Sequence, residues 1–215
     1  MFDITAIVLA GGRSSRMGRN KALLPLNGVP VIERLIREME SVAGEVIIAG
    51  GGQPEAYRYL EKNVIGDLFP ETGPMAGLHA GLTEAKTAWS LAVACDMPFA
   101  GQAVFAQLAE RALKAEQDGW NGTEAGPGKR FEAVIPTVEG RRQPLLAAYR
   151  RSVLPGLENE LREGNFKLTR WAEGLRAEIV DGAVLAGAAG VREEDLPFNM
   201  NRPEDYRRAQ EWLEQ

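Results

Sequence analysis

Apolar residues along the chain follow two rhythms. The first is short and unbroken: residues 4–10 (ITAIVLA), 45–49 (EVIIA) and 89–95 (WSLAVAC) are rich in Ile, Val, Leu and Ala with almost no polar alternation. Strands buried on both faces of a parallel sheet read this way. The second is helical. Val31, Ile32, Leu35, Ile36 and Met39 recur against Glu33, Arg34, Arg37, Glu38 and Glu40, which predicts a helix entered at Pro30. Phe105, Leu108, Ala109, Ala112 and Leu113 mark another.

The same reading extends along the chain. It predicts a helix over 54–61, a brief strand at Val64 and Ile65, and a helix over 75–86. Strands over 133–138 and 144–149 flank a turn at Glu139 and Gly140. Helices follow at 154–161 and from 166, then a last strand over 177–180. Glu204 and Asp205 favour the start of a closing helix at Pro203, with Tyr206, Ala209 and Leu213 along it. Residues 118–130 (DGWNGTEAGPGKR) read as a mobile loop, and 185–196 show no clear period. Strands alternating with helices give an α/β fold: a single Rossmann-like three-layer α/β/α domain over residues 1–215, with a mostly parallel central sheet. In such folds ligands bind beyond the carboxyl ends of the strands.

Candidate chemistry gathers at those ends. After the first strand, Gly11 and Gly12 let the backbone bring N–H groups close to a ligand, and Arg13, Arg16, Arg19 and Lys21 place four cations within nine residues. Ser14, Ser15 and Asn20 stand among them as hydrogen-bond donors. A polyphosphate would satisfy such a loop; a solvated basic turn is the plainer alternative. It is not a Walker loop, because Gly12 and Gly18 are one residue too far apart and Arg19-Asn20 follows instead of Lys-Ser or Lys-Thr. Gly50 and Gly52 begin a dinucleotide fingerprint, but Glu55 stands where its third glycine belongs, and no ribose-binding acid follows.

Asp96 ends the strand 89–95 and is the best metal candidate, since hard divalent cations take oxygen ligands. A helix N-cap or a solvated loop acid is the alternative. Gly77 and its small neighbours suit either close packing on the sheet or close approach of a ligand. Arg141, Arg142 and Gln143 are either a solvated hairpin tip or a contact for an anionic second substrate.

Composition narrows the class. A net charge of −5 argues against broad nucleic-acid binding and makes the cationic loop a local feature suited to a small anion. One cysteine, Cys95, excludes an internal disulfide and a cysteine-based zinc cluster. One histidine, His79, excludes His-rich metal sites and is expected to be structural. No leader-like or membrane-spanning stretch is present, so a cytoplasmic address with no membrane partner is expected.

Three stretches together, LAGGRSSRMGRNKALL (9–24), GPMAGLHAGL (73–82) and ACDMPF (94–99), with FNMNRPEDY (198–206) in support, resemble the molybdenum cofactor guanylyltransferases. These enzymes attach GMP from GTP to molybdopterin and release pyrophosphate. The resemblance spans nearly the whole chain, and its LAGG, rather than the LAAG typical of related cytidylyltransferases, favours guanine. It implies that Leu9, Ala10, Gly11 and Gly12 contact the nucleotide, Lys21 the phosphates and Asp67 the guanine nucleoside. It implies Mg2+ as cofactor with Asp96 as its ligand, and pterin or metal contacts for Asn199 and Asn201; Arg13, from the cationic loop itself, is expected to join Lys21 and Asp96 in catalysis by screening phosphate charge. GTP and molybdopterin are the implied partners, with recipient molybdoenzymes or other cofactor-biosynthesis proteins beyond them. In one departure, an asparagine often found after the second strand is glycine here, near Gly51. The alternatives are a transferase of the same fold using CTP or a sugar phosphate, and a non-catalytic nucleotide-binding or cofactor-delivery protein.

Overall fold

In the computed structural model, residues 1–11, 20–117 and 130–213 are described. The first apolar run forms β1 (Phe2–Leu9), and a two-strand ribbon, β2 (Pro25–Leu26) with β3 (Val29–Pro30), leads into α1 (Val31–Glu40). Then come β4 (Ala43–Ala49), a 3-10 turn at Pro54–Leu60 where a helix is expected, and β5 (Asn63–Ile65). They are followed by α2 (Pro74–Glu84), β6 (Trp89–Ala94) and α3 (Gln102–Gln117). The second half supplies β7 (Ala133–Val138), β8 (Arg141–Arg142), β9 (Leu146–Arg150), α4 (Leu154–Arg162), α5 (Leu168–Glu173), β10 (Ala177–Asp181), α6 (Gly182–Ala189) and α7 (Pro203–Leu213).

The main sheet runs β10-β7-β9-β6-β1-β4-β5, with β8 added to β7. β6, β1, β4 and β5 are mutually parallel, and β10 is parallel to β7. β9 runs antiparallel to both of its neighbours, so the sheet is mostly parallel, as expected. Alternation along β1 splits the core into two layers. Ile4, Ala6 and Val8 join α1, α3 and α6, while Ile7 and Leu9 join α2, α4 and α5. Helix α2 lies very close to β1: a Cβ on Gly81 would come within 2.5 Å of Ile7 Cγ2.

From β1 the chain winds through β4 to the edge at β5, then returns across β1 to β6. Direction therefore switches about β1, and a crevice opens beyond its carboxyl end. Near the other edge, Glu139 and Gly140 both have positive φ, 50° and 73°, and close a two-residue hairpin between β7 and β8. Arg142 donates from there to the Ala172 carbonyl at 2.7 Å and anchors α5. α6 occupies part of the stretch without a clear period. It is almost wholly small and apolar (GAVLAGAA), so no polar face betrays it, and Asp181 caps it through a 2.9 Å bond from Ala183 N–H. Among the described residues, no helix is long and apolar enough to cross a membrane.

Candidate active site

The crevice beyond β1 collects residues from four strand ends. Ala10 continues the ladder, its N–H donating to the Ala49 carbonyl at 2.9 Å, while Cys95 N–H donates to the Leu9 carbonyl at 3.1 Å and ties β6 to the same point. Chain direction alone thus places Leu9, Ala10 and Gly11 between β4 on one side and Asp96 on the other. A cavity of about 150 Å3 lies there, lined by Leu9, Ala10, Gly11, Asn20, Lys21, Pro74, Cys95, Asp96 and Leu145 among others. Gly12 and Arg13, like Arg16 and Arg19, fall outside the described residues, as does the expected loop at 118–130 apart from Arg130.

Lys21 reaches the cavity because Asn20 caps the 3-10 turn Lys21–Leu23, accepting from Ala22 N–H at 3.1 Å. Its ammonium donates to Asn201 Oδ1 at 2.7 Å and lies 3.8 Å from Asp96 Oδ2. Asn201 comes from the far end of the chain. Met200 N–H donates to the Asp96 carbonyl at 2.9 Å, and the Asp205 carboxylate holds the N–H groups of Asn201 and Arg202 at 2.9 and 2.8 Å at the mouth of α7. One bracket is thereby built from three distant segments. Asn199 turns instead to the Pro197 carbonyl, donating to it at 2.6 Å in a local turn.

Burial holds the Asp96 carboxyl above the usual carboxylate range, and Lys21 with a backbone hydrogen bond pulls partly against it. Cys95 is pushed up to about 12, chiefly by burial with Asp96 adding to it, and so stays a neutral thiol.

A second acid stands at the other flank. Asp67, just beyond β5, has Oδ1 buried with no hydrogen-bond partner among the described residues, and burial alone raises its carboxyl. Glycines surround it. A Cβ on Gly51 would lie 3.5 Å from Asp67 Oδ2, and one on Gly77 would lie 4.0 Å from Oδ1 and 3.3 Å from Leu9 Cδ2. Gly77 therefore packs on the sheet and also borders the hollow. Gly51 has φ of 59° and crosses Gly11 so closely that a Cβ on it would meet Gly11 Cα at 2.7 Å, and a Cβ on Gly11 would meet Gly51 Cα at 2.9 Å. The missing asparagine thus has a steric setting: the ends of β1 and β4 touch backbone to backbone.

His79 lies elsewhere, buried on α2 edge-on to Phe69, with Nε2 3.9 Å from Glu158. Burial lowers its pKa, so the imidazole is neutral near pH 7. The sequence names Asn20 only as one hydrogen-bond donor of the cationic stretch and gives Tyr57 no role. Tyr57, fully buried, donates to the Ala10 carbonyl and accepts from Asn20 Nδ2, both at 2.8 Å.

A family model described as the MobA-like NTP transferase domain matches residues 6–178. The chain belongs to that family. It is 32% identical to a molybdenum cofactor guanylyltransferase of Yersinia pestis, over 94% of this chain and 93% of that one. It is 34% identical to a protein of Pelotomaculum thermopropionicum named a probable molybdenum cofactor guanylyltransferase, over 97% and 93%. Among solved structures, the molybdopterin-guanine dinucleotide biosynthesis protein A of Archaeoglobus fulgidus superposes with a TM-score of 0.78 at 26% identity, covering 98% of this chain and 99% of that one. Members of the MobA-like family are nucleotidyltransferases, and the crevice beyond β1 is where this one gathers its cation and its acids.

Proposed function

We propose that the protein transfers GMP from GTP to the terminal phosphate of molybdopterin, forming a guanine dinucleotide cofactor and releasing pyrophosphate. The observation that carries this reading is the convergence of Lys21, Asp96 and Asn201 beside the Leu9–Gly11 backbone, in a chain similar along almost its whole length to guanylyltransferases. The described residues act together as one nucleotidyltransferase domain in the cytoplasm, delivering its product to molybdoenzymes.

The phosphate oxygen of molybdopterin attacks the α-phosphorus of GTP in line with the departing oxygen. As that O–P bond forms, the bond to the β-phosphate breaks and its electron pair leaves with pyrophosphate. The nucleophile is already an anion, so no side chain need remove a proton. The protein's task is to hold two mutually repelling anions together and screen the charge that moves onto the leaving group. The Lys21 ammonium does this from one side; Arg13 and the N–H groups of Gly11 and Gly12 are assigned the same work. Asp67 offers its unpartnered oxygen to donor groups of the guanine nucleoside.

The donor set fits Mg2+. No cluster of three or more His, Cys, Asp or Glu stands among the described residues, and Mg2+ is commonly held by one or two carboxylates plus phosphates and water. Asp96 is the side chain that would hold it. When bound, the ion supplies Lewis-acid neutralisation of the phosphate oxygens. The test is pyrophosphate release with molybdopterin and GTP, CTP or UTP in turn. Release with GTP is expected; faster release with CTP would move the reading to a cytidylyltransferase, and release with none would leave a binding protein.

A further inference from the structure

The glycines after β4 and the buried Tyr57 form one construction that the chemistry above does not use. Tyr57 sits in the 3-10 turn Pro54–Leu60, 1% exposed. Its ring lies against the end of β4, where a Cβ on Gly50 would come within 3.1 Å of Cδ2 and 3.3 Å of Cε2. Ring and backbone leave each other little freedom, so the hydroxyl has a fixed aim. It donates to the Ala10 carbonyl at 2.8 Å and accepts from Asn20 Nδ2 at 2.8 Å. The amide orientation follows from the network, because Asn20 Oδ1 is already taken by Ala22 N–H. Burial, its largest cause, pushes the phenol up to about 12, so it remains a neutral donor at physiological pH.

Ala10 and Asn20 are the positions from which the cationic stretch leaves β1 and re-enters at Lys21. One buried oxygen holds both. Asn20 in turn caps the turn that carries Lys21, whose ammonium meets Asn201 and faces Asp96.

We propose that Tyr57 is a positioning residue for the phosphate-binding side of the site: its hydroxyl clasps Ala10 to Asn20 and, through the Asn20 cap, sets the Lys21 ammonium. Gly50 and Gly51 then serve this geometry, one admitting the Tyr57 ring and the other the Gly11 crossing. The inference deepens the proposed function and rests on Lys21 acting on the triphosphate.

The test is Tyr57→Phe, which removes one oxygen and keeps the ring. Calorimetry with GTP should show affinity weakened about tenfold, equivalent to about 1.4 kcal/mol. In a Lys21→Ala background the same substitution should change affinity little further, because the two residues act as one unit. An equal loss in both backgrounds, or none in either, overturns the clasp. A second readout needs no nucleotide: amine-reactive labelling of the free protein, read by mass spectrometry, should modify Lys21 several-fold faster in Tyr57→Phe while the exposed Lys114 is unchanged. Unchanged Lys21 labelling also overturns it. If the wild-type protein binds none of GTP, CTP and UTP, the functional reading fails, and labelling still decides the clasp. Should Tyr57→Phe not fold, Asn20→Ala removes the link to Lys21 while leaving the bond to Ala10, with the same outcomes expected.

Discussion

Asp96 and Asp67 stand beyond the carboxyl ends of β6 and β5 in the same sheet, on opposite flanks of β1, and are held in opposite ways. Asp96 is braced: Met200 bonds its carbonyl, Lys21 faces its carboxylate at 3.8 Å, and Asn201 holds Lys21 at 2.7 Å. Asp67 faces backbone, with an oxygen buried among glycine positions and no partner among the described residues. Burial raises both carboxyls, but only at Asp96 does a cation pull back. A carboxylate facing a cation it does not hydrogen-bond is suited to exchanging charge partners as a metal and phosphates arrive. One with an empty acceptor is suited to neutral donors of a nucleoside. On the proposed function, the crevice would divide its labour by what each acid has been left to bind.

The largest effect should come from breaking the braced side. Asp96→Asn removes the carboxylate assigned to Mg2+ and should lower pyrophosphate release about 10³-fold while leaving far-UV circular dichroism intact. Near-normal turnover by a folded variant would take Asp96 out of the chemistry and leave it a structural acid. Lys21→Ala should cost less, about 10²-fold in kcat/KM for GTP, because on the proposed function the backbone N–H groups and Arg13 would still screen the phosphates. Unaltered kinetics would defeat the phosphate role and make the 3.8 Å approach to Asp96 an ordinary surface pairing.

The two flanks were also unequally readable in the chain. β1, β4 and β6 were plain because a parallel sheet covered on both faces needs continuous apolar runs, and their carboxyl ends bring Gly11 and Asp96 together by topology alone. Lys21 stood out as a cation after paired glycines. Asp67 follows the short β5 in a turn-rich stretch where any acid looks solvated, so only resemblance singled it out. The glycines after β4 read only as the start of an incomplete dinucleotide fingerprint, yet Gly50 and Gly51 are fixed by contacts with Tyr57 and Gly11, which depend on distant parts of the chain. Tyr57 carried no signal, since an aromatic in a short helical segment looks like core. The asymmetry has a physical basis: periodicity reports burial, whereas a bond such as Lys21 to Asn201 joins residues 180 positions apart.

On the Asp67 side the expected kinetic effect is smaller. Asp67→Asn keeps the shape but halves the acceptor capacity, and should weaken GTP binding about tenfold while altering affinity for bare pyrophosphate little. Equal losses for both ligands would place Asp67 among the phosphate contacts and erase the division between the flanks.

The smallest effect is on stability, and its sign separates the two acids. The Asp67 carboxyl is raised on folding, so the folded state is the tighter proton binder. Well below the unfolded pKa both states are protonated and Asp67→Asn should be nearly neutral. As pH rises through the folded pKa the wild-type protein must hold a half-buried charge with one unpartnered oxygen, stability is lost, and the variant should become more stable by about 1 kcal/mol, or roughly 2–4 °C. Asp96→Asn should gain less over the same range, because Lys21 already offsets part of the burial cost and loses its counter-charge in the variant. Urea unfolding of the ligand-free proteins at a series of pH values from about 4 to 8 measures the difference directly. A larger gain for Asp96→Asn than for Asp67→Asn would mean that Lys21 does not compensate its neighbour, and that the braced flank is as strained without ligand as the open one.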